Sequence, residues 1–286
     1  MTATAQTNTP NTPKDRGLRI AGGKVGVLLL HGLCGTPAEM RFVAMGLARA
    51  GYTVHVPQLA GHGDANTGRW QDWYMSAREA LIELRRECDT VIVGGLCMGA
   101  ILGLHLAARN PGKVQGVSLF SPTLWINGWA MPWTARLFKL VRSRWFAGFM
   151  TFPDAASLGI KCPRVRQFVQ QALSGEGSEY GRAGVPATMV LEHRRMVDAA
   201  MKLLHRVKQP TLIVHSQEDD YADLNNAVYL KDELAGKVDL VVLNDSYHMV
   251  TLDKQRHIVV ESTRAFVARI VDEVCSIATP ALPVAA

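Results

Sequence analysis

The sequence is short of several things, and each shortage removes a class of protein. Aromatic residues make up only 7% of the 286 positions, and the five cysteines (34, 88, 97, 162 and 275) are odd in number with no C-x-x-C pair. Neither a zinc ribbon nor a disulfide framework has that spacing, and a reducing compartment, the cytoplasm, fits it best. The first sixteen residues, MTATAQTNTPNTPKDR, lack the apolar run of a secretory signal and read as a solvated tail. Charge of one sign is scarcely in excess, with 31 Lys and Arg against 25 Asp and Glu for a net +6. That excess is too small to imply a nucleic-acid partner. The apolar stretch 91–108 is interrupted by glycines at 94, 95, 99 and 103, which argues against a transmembrane segment. No internal repeat occurs.

What remains is 48% hydrophobic and 20% charged, enough for a full-sized globular core. The run VGVLLL (25–30) reads as a strand buried on both faces, as in a parallel sheet. Thr36-Pro37-Ala38-Glu39 reads as a capping box opening a helix that runs to about Ala50. Strands at 52–56, 90–93 and 114–120 alternate with helices at 70–88 and 98–109, the rhythm of βαβ units. The rhythm breaks over 121–208 and resumes with a strand at 211–215, a helix at 224–234, a strand at 240–243 and a helix near 255–277. The expected fold is α/β, with a mostly parallel central sheet flanked by helices. Its core is formed by 17–120 and 209–278, with an inserted helical cap at 121–208 and tails at 1–16 and 279–286.

Four pieces carry chemistry. Gly95-Leu96-Cys97-Met98-Gly99 joins a strand to a helix as G-x-C-x-G, the pattern of a nucleophile elbow, where a sharp turn needs small residues on both sides of the nucleophile. Its position at a helix N-terminus would stabilise a thiolate. An acidic loop with Asp219 and Asp220 follows the strand at 211–215, and His248 lies in a polar turn after the next strand. In His31-Gly32-Leu33-Cys34-Gly35, the Leu33 N–H could meet a developing oxyanion together with the Met98 N–H. Nucleophile, acid and histidine occur in the chain order that α/β-hydrolases use.

The motifs HGLCGTPAEM (31–40), GYTVHVPQLAGHG (51–63), GLCMGA (95–100), PTLIVHSQEDD (210–220) and SYHMVTLD (246–253) resemble those of the α/β-hydrolase superfamily, closest to its carboxylesterase and monoacylglycerol lipase group. The resemblance implies a nucleophile at Cys97, an acid at Asp219, the fifth residue of a motif beginning at His215, a general base at His248 and an oxyanion donor at Leu33. Cysteine stands where that group has serine, as in dienelactone hydrolases and polyhydroxyalkanoate synthases and depolymerases.

The expected activity is carboxylic-ester hydrolysis through a thioester acyl-enzyme, on hydroxyalkanoate oligomers or short to medium acyl esters, with no cofactor and no metal. The alternatives are an acyltransferase or thioesterase using acyl-CoA or acyl-carrier protein, and a non-catalytic binding protein on the same fold. Segment 121–208 holds thirteen Lys and Arg against five acids. Its Trp125, Trp129 and Trp133 are candidate lid residues over a substrate, and an acidic carrier or CoA would suit its charge. Cys34 is a candidate partner for a reversible disulfide with Cys97.

Overall fold

The computed structural model describes residues 17–63, 67–131, 137–138, 140–173 and 184–278. Both expected tails and Trp133 lie outside the described residues. Seven strands form one sheet: β1 (Leu18–Ile20), β2 (Val25–Leu30), β3 (Thr53–Val56), β4 (Thr90–Leu96), β5 (Gly116–Phe120), β8 (Thr211–Ser216) and β9 (Val238–Leu243). Their order is β1-β3-β2-β4-β5-β8-β9, and every pairing is parallel except β1 with β3. Two further strands, β6 (Thr151–Phe152) and β7 (Val185–Pro186), make a small antiparallel ribbon of their own.

The period-2 pleat divides each apolar run between two cores. Leu28 and Leu30 of β2 face one side, with Val91, Val93, Val117 and Ile213. There they pack on α2 (Trp70–Glu87), α3 (Met98–Arg109), α6 (Ala187–Met201) and α7 (Asn225–Glu233). Val27 and Leu29 face the other side, against α1 (Arg41–Arg49) and α8 (Arg256–Ala278). Coverage of both faces is why VGVLLL carries no polar residue.

The structure adds β1, an antiparallel edge strand of three residues, one of them exposed, which is too short to stand out as a pattern. Thr36 Oγ1 accepts the Ala38 N–H, but residues 37–40 make a 3-10 turn before α1, and Glu39 is buried with its carboxyl turned to Gly32. Between β5 and β8, helices α4 (Arg144–Ala147) and α5 (Pro163–Leu173) and the β6–β7 ribbon precede α6. Helix α6 lies on α2 and α3, and its Met189, Met196 and Val197 belong to the main core. The described residues of 121–186 meet the loops at the C-terminal ends of β8 and β9, and Leu124 joins the main core.

Candidate active site

The turn from β4 to α3 is built by exclusion. Cys97 has φ +55° and ψ −114°, a conformation unfavourable for a side-chain-bearing residue, and its N–H is tied to Phe120 O at 2.9 Å. A Cβ on Gly95 would strike the Gly99 backbone, and one on Gly99 would strike the carbonyls of Leu30 and His31. Both glycines are thus required by close backbone approach, and their absent side chains bring the elbow against the loop after β2. The same closeness appears at Gly32, where a Cβ would lie 3.7 Å from Cys97 Cβ.

That loop is held from two sides. The Leu59 N–H donates to His31 Nε2 at 3.1 Å, so Nδ1 carries the proton and donates to Gly32 O at 3.0 Å. Burial lowers the His31 pKa to about 4, which keeps the ring neutral for this role. From the other side, Glu39 Oε2 accepts the Gly32 N–H at 2.8 Å. The N–H groups of Leu33 and Met98 have no hydrogen-bond partner among the described residues, and each is free for an incoming oxygen.

Asp219 and His248 meet across the ends of β8 and β9. His248 Nδ1 lies 2.8 and 3.0 Å from the two carboxylate oxygens and donates to them, while Asp219 Oδ1 also accepts the N–H groups of Tyr221 and Ala222 at 2.9 and 2.8 Å. Burial disfavours the Asp219 carboxylate, but His248, His215 and the Ala222 N–H outweigh it and lower its pKa. For His248, burial disfavours the imidazolium, yet the Asp219 carboxylate and then the Cys97 sulfur raise its pKa well above the usual value. Its Nε2 has no other hydrogen-bond partner among the described residues. Cys97, partly exposed, Asp219 and His248 are therefore brought together at the strand ends.

Several residues with no role foreseen from sequence support this arrangement. Asp220 Oδ1 accepts the His248 N–H at 3.1 Å, and its other oxygen takes the hydroxyl of Ser157. Asp253 accepts the N–H groups of Lys161, Cys162, Tyr247 and Lys254 at 2.7–2.9 Å, fixing the loop that carries His248. Asp253 stands in the SYHMVTLD motif, and that is the one signal that could have pointed to it.

The candidate lid residues separate. Trp125 packs edge-on against Tyr229 and joins the main core. Trp129, 63% exposed, donates Nε1–H to Glu218 O at 3.1 Å and packs edge-on against Tyr247, so it spans the loops of Asp219 and His248. Cys34 is buried, and burial, Glu39, Asp154 and Cys97 push its thiol up to about 12. It and Cys97 are both free thiols. Held as the thiol, Cys34 is a poor partner for exchange, which proceeds through a thiolate.

Among the described residues no cluster of His, Cys, Asp and Glu could hold a metal ion, and no helix is long and apolar enough to cross a membrane. A parallel sheet with a cysteine at a strained strand-to-helix elbow and a histidine–carboxylate pair at its strand ends has the architecture of an α/β-hydrolase. The chain belongs to the family whose model is described as serine aminopeptidase, S33, which matches residues 24–255. It is 30% identical over 252 residues to a thermostable monoacylglycerol lipase of Bacillus sp. (strain H-257), covering 86% of this chain and 92% of that protein. A Bacillus subtilis (strain 168) carboxylesterase is 24% identical over 91% of this chain and 98% of its own length. Among solved structures, one from work on the metagenome-derived lipolytic enzymes LipS and LipT superposes with a TM-score of 0.75 at 29% identity, over 90% of this chain and 98% of that one. The protein is a carboxylic-ester hydrolase of the esterase and lipase type.

Proposed function

We propose that this hydrolase works through Cys97 rather than a serine, with His248 as acid and base, Asp219 as the orienting carboxylate, and the Leu33 and Met98 N–H groups as the oxyanion hole. The observation that carries the reading is the side chain at position 97, held at the strained elbow beside an imidazole whose Nδ1 is committed to Asp219. In the first half-reaction the thiolate attacks the acyl carbonyl and a C–S bond forms. The C–O bond to the alcohol then breaks, and the alcohol leaves with the proton from His248 Nε2. In the second, His248 takes a proton from water, the hydroxide attacks the thioester, and the acid departs as the thiolate returns.

The relatives named as monoacylglycerol lipase and carboxylesterase support carboxylic esters, monoacylglycerols among them, as substrates. An acidic carrier protein or CoA finds less support. Arg144 and Arg195 are paired with buried Glu192, and Lys161 with Glu218 and Asp245, so these cations are already engaged within the chain.

Hydrolysis of p-nitrophenyl butyrate and of a hydroxybutyrate dimer tests the proposal. Cys97→Ala should lose at least about 10³-fold in kcat and Cys97→Ser should retain a measurable fraction. Iodoacetamide should inactivate the wild type near pH 6 faster than it alkylates a model thiol. Full activity in the alanine variant would overturn the assignment, and transfer to an added alcohol without hydrolysis in its absence would replace hydrolase by acyltransferase.

A further inference from the structure

One buried ionisable group beside the elbow has no part in that mechanism. Glu39 is 8% exposed, its Oε2 receives the Gly32 N–H, and it lies against both ends of the segment 32–35. A Cβ on Gly32 would approach Oε2 to 3.1 Å, and one on Gly35 would overlap the carboxyl group outright. Gly35 has no positive φ, so its missing side chain answers to the space the carboxyl occupies and not to backbone conformation. The glutamate and the two glycines thus form one fitted unit, with the carboxyl seated inside the turn that presents the Leu33 N–H.

We propose that Glu39 is the positioning residue of the oxyanion loop and serves in its neutral form, its carbonyl oxygen holding the Gly32 N–H. This rests on the reading of Leu33 as an oxyanion donor. A carboxylate could hold the same N–H, but it would set a fixed negative charge in a water-poor site beneath the place where the transition state develops its own. At low effective dielectric that repulsion would oppose the stabilisation the loop provides. The neutral acid keeps the tether and removes the charge.

The groups around Glu39 suit this. Burial pushes its pKa up to about 7, against the lowering effects of the Gly32 N–H and of His248. Cys34, on the same loop, stays protonated and adds no charge. Cys97 lies across Gly32 on the elbow, and His248 faces the carboxyl from the loop after β9. Since the neutral form is the working one, activity should decline as the pH rises through the Glu39 pKa.

The test compares wild type, Glu39→Gln and Glu39→Ala on p-nitrophenyl butyrate from about pH 5.5 to about pH 9, with thermal midpoints measured alongside. Glutamine copies the neutral acid, with one oxygen to accept and an amide in place of the hydroxyl. It should keep kcat within about threefold at the acid end and lack the decline through about pH 7 that the wild type shows. Alanine should lower kcat by about tenfold or more with little change in KM, since the loop is misplaced but the acyl pocket is not. Superimposable pH profiles for wild type and Glu39→Gln, or an equal loss of kcat in both variants, would overturn the proposal. A Cys97→Ala control locates the fault: if it is inactive while the profiles superimpose, Glu39 was misread, and if it is fully active the mechanism itself falls.

Discussion

The loops at the ends of β2, β4, β8 and β9 and the described residues of segment 121–186 that meet them differ in what they bury and what they expose. In the loops, buried acceptors satisfy backbone N–H groups one by one: Glu39 holds Gly32, Asp219 holds Tyr221 and Ala222, Asp220 holds His248, and Asp253 holds four residues. A buried backbone group left unpaired is costly, so each contact fixes one loop position. The overlying segment is tied to these loops too, through the Gly128 and Ala130 N–H groups on the Tyr221 and Asp220 carbonyls and through Lys161 and Cys162 on Asp253, but it exposes Trp129, Trp145, Phe146 and Phe149. On the mechanism proposed above, the strand ends would hold the reacting groups still and the exposed aromatics of the segment would meet the substrate. Variants in the first should therefore act on kcat, and variants in the second on stability or KM.

The largest effect expected from this contrast is at Asp219. Asp219→Asn keeps the size of the side chain but removes the charge that holds His248 in its tautomer, and kcat should fall by about 10²–10⁴ with KM nearly unchanged. A pH signature accompanies it. The raised pKa of His248 and the lowered pKa of Asp219 in the folded protein mean that the pair stabilises the fold fully between about pH 4 and about pH 6.5 and loses that contribution as pH rises through the higher folded value of His248. The stability gap between wild type and Asp219→Asn should be widest in mild acid, about pH 5–6, and close toward alkali, as read by urea unfolding at several pH values from about 5 upward. A gap that widens with pH would contradict this assignment of charge.

A smaller effect is expected where the segment is fastened. Arg144 of α4 and Arg195 of α6 both reach Glu192 Oε1, at 2.8 and 2.6 Å, and the other oxygen of Glu192 accepts the Trp70 N–H at 3.3 Å. The carboxylate is buried while the arginines are a third or more exposed, so removing it leaves cations that water can still solvate. Glu192→Ala should destabilise by about 1–3 kcal/mol. Its kcat at a temperature where it is folded should stay within about twofold of wild type. A loss of kcat comparable to that of Asp219→Asn would erase the distinction between the two regions.

The same contrast explains what could be read from the sequence. The elbow was legible because its cause is local: Gly95 and Gly99 stand two residues from Cys97, and the strand and helix that need them are adjacent in the chain. Strand β2 was legible from its unbroken apolar run, VGVLLL. The supports were not, because each joins residues far apart or replaces a familiar local pattern. Glu39 sits three residues after a threonine, as a capping glutamate would, yet the 3-10 turn and the glycine at 35 send its carboxyl back to Gly32. Asp253 reaches Lys161 and Cys162 across 92 and 91 residues of chain, and no periodicity encodes that. Among the described residues of 121–186 the strands are two residues long and α4 is a single turn, too short to impose a pattern on their composition.

The smallest effect should come from Trp129, which belongs to both regions. Its indole is mostly exposed, but its N–H bonds to Glu218 O and its ring rests on Tyr247, one residue before Asp219 and one before His248. If the loops are fixed by their own buried acceptors, taking the indole away removes one exposed hydrogen bond and some aromatic contact, about 1 kcal/mol or less. Trp129→Ala should then leave kcat within about twofold and raise KM a few-fold for longer acyl chains, measured as the KM ratio of p-nitrophenyl octanoate to butyrate. A selective fall in kcat with KM unchanged would mean that the indole helps to hold the histidine loop in place. The boundary between the rigid site and its cover would then have to be moved to include residue 129.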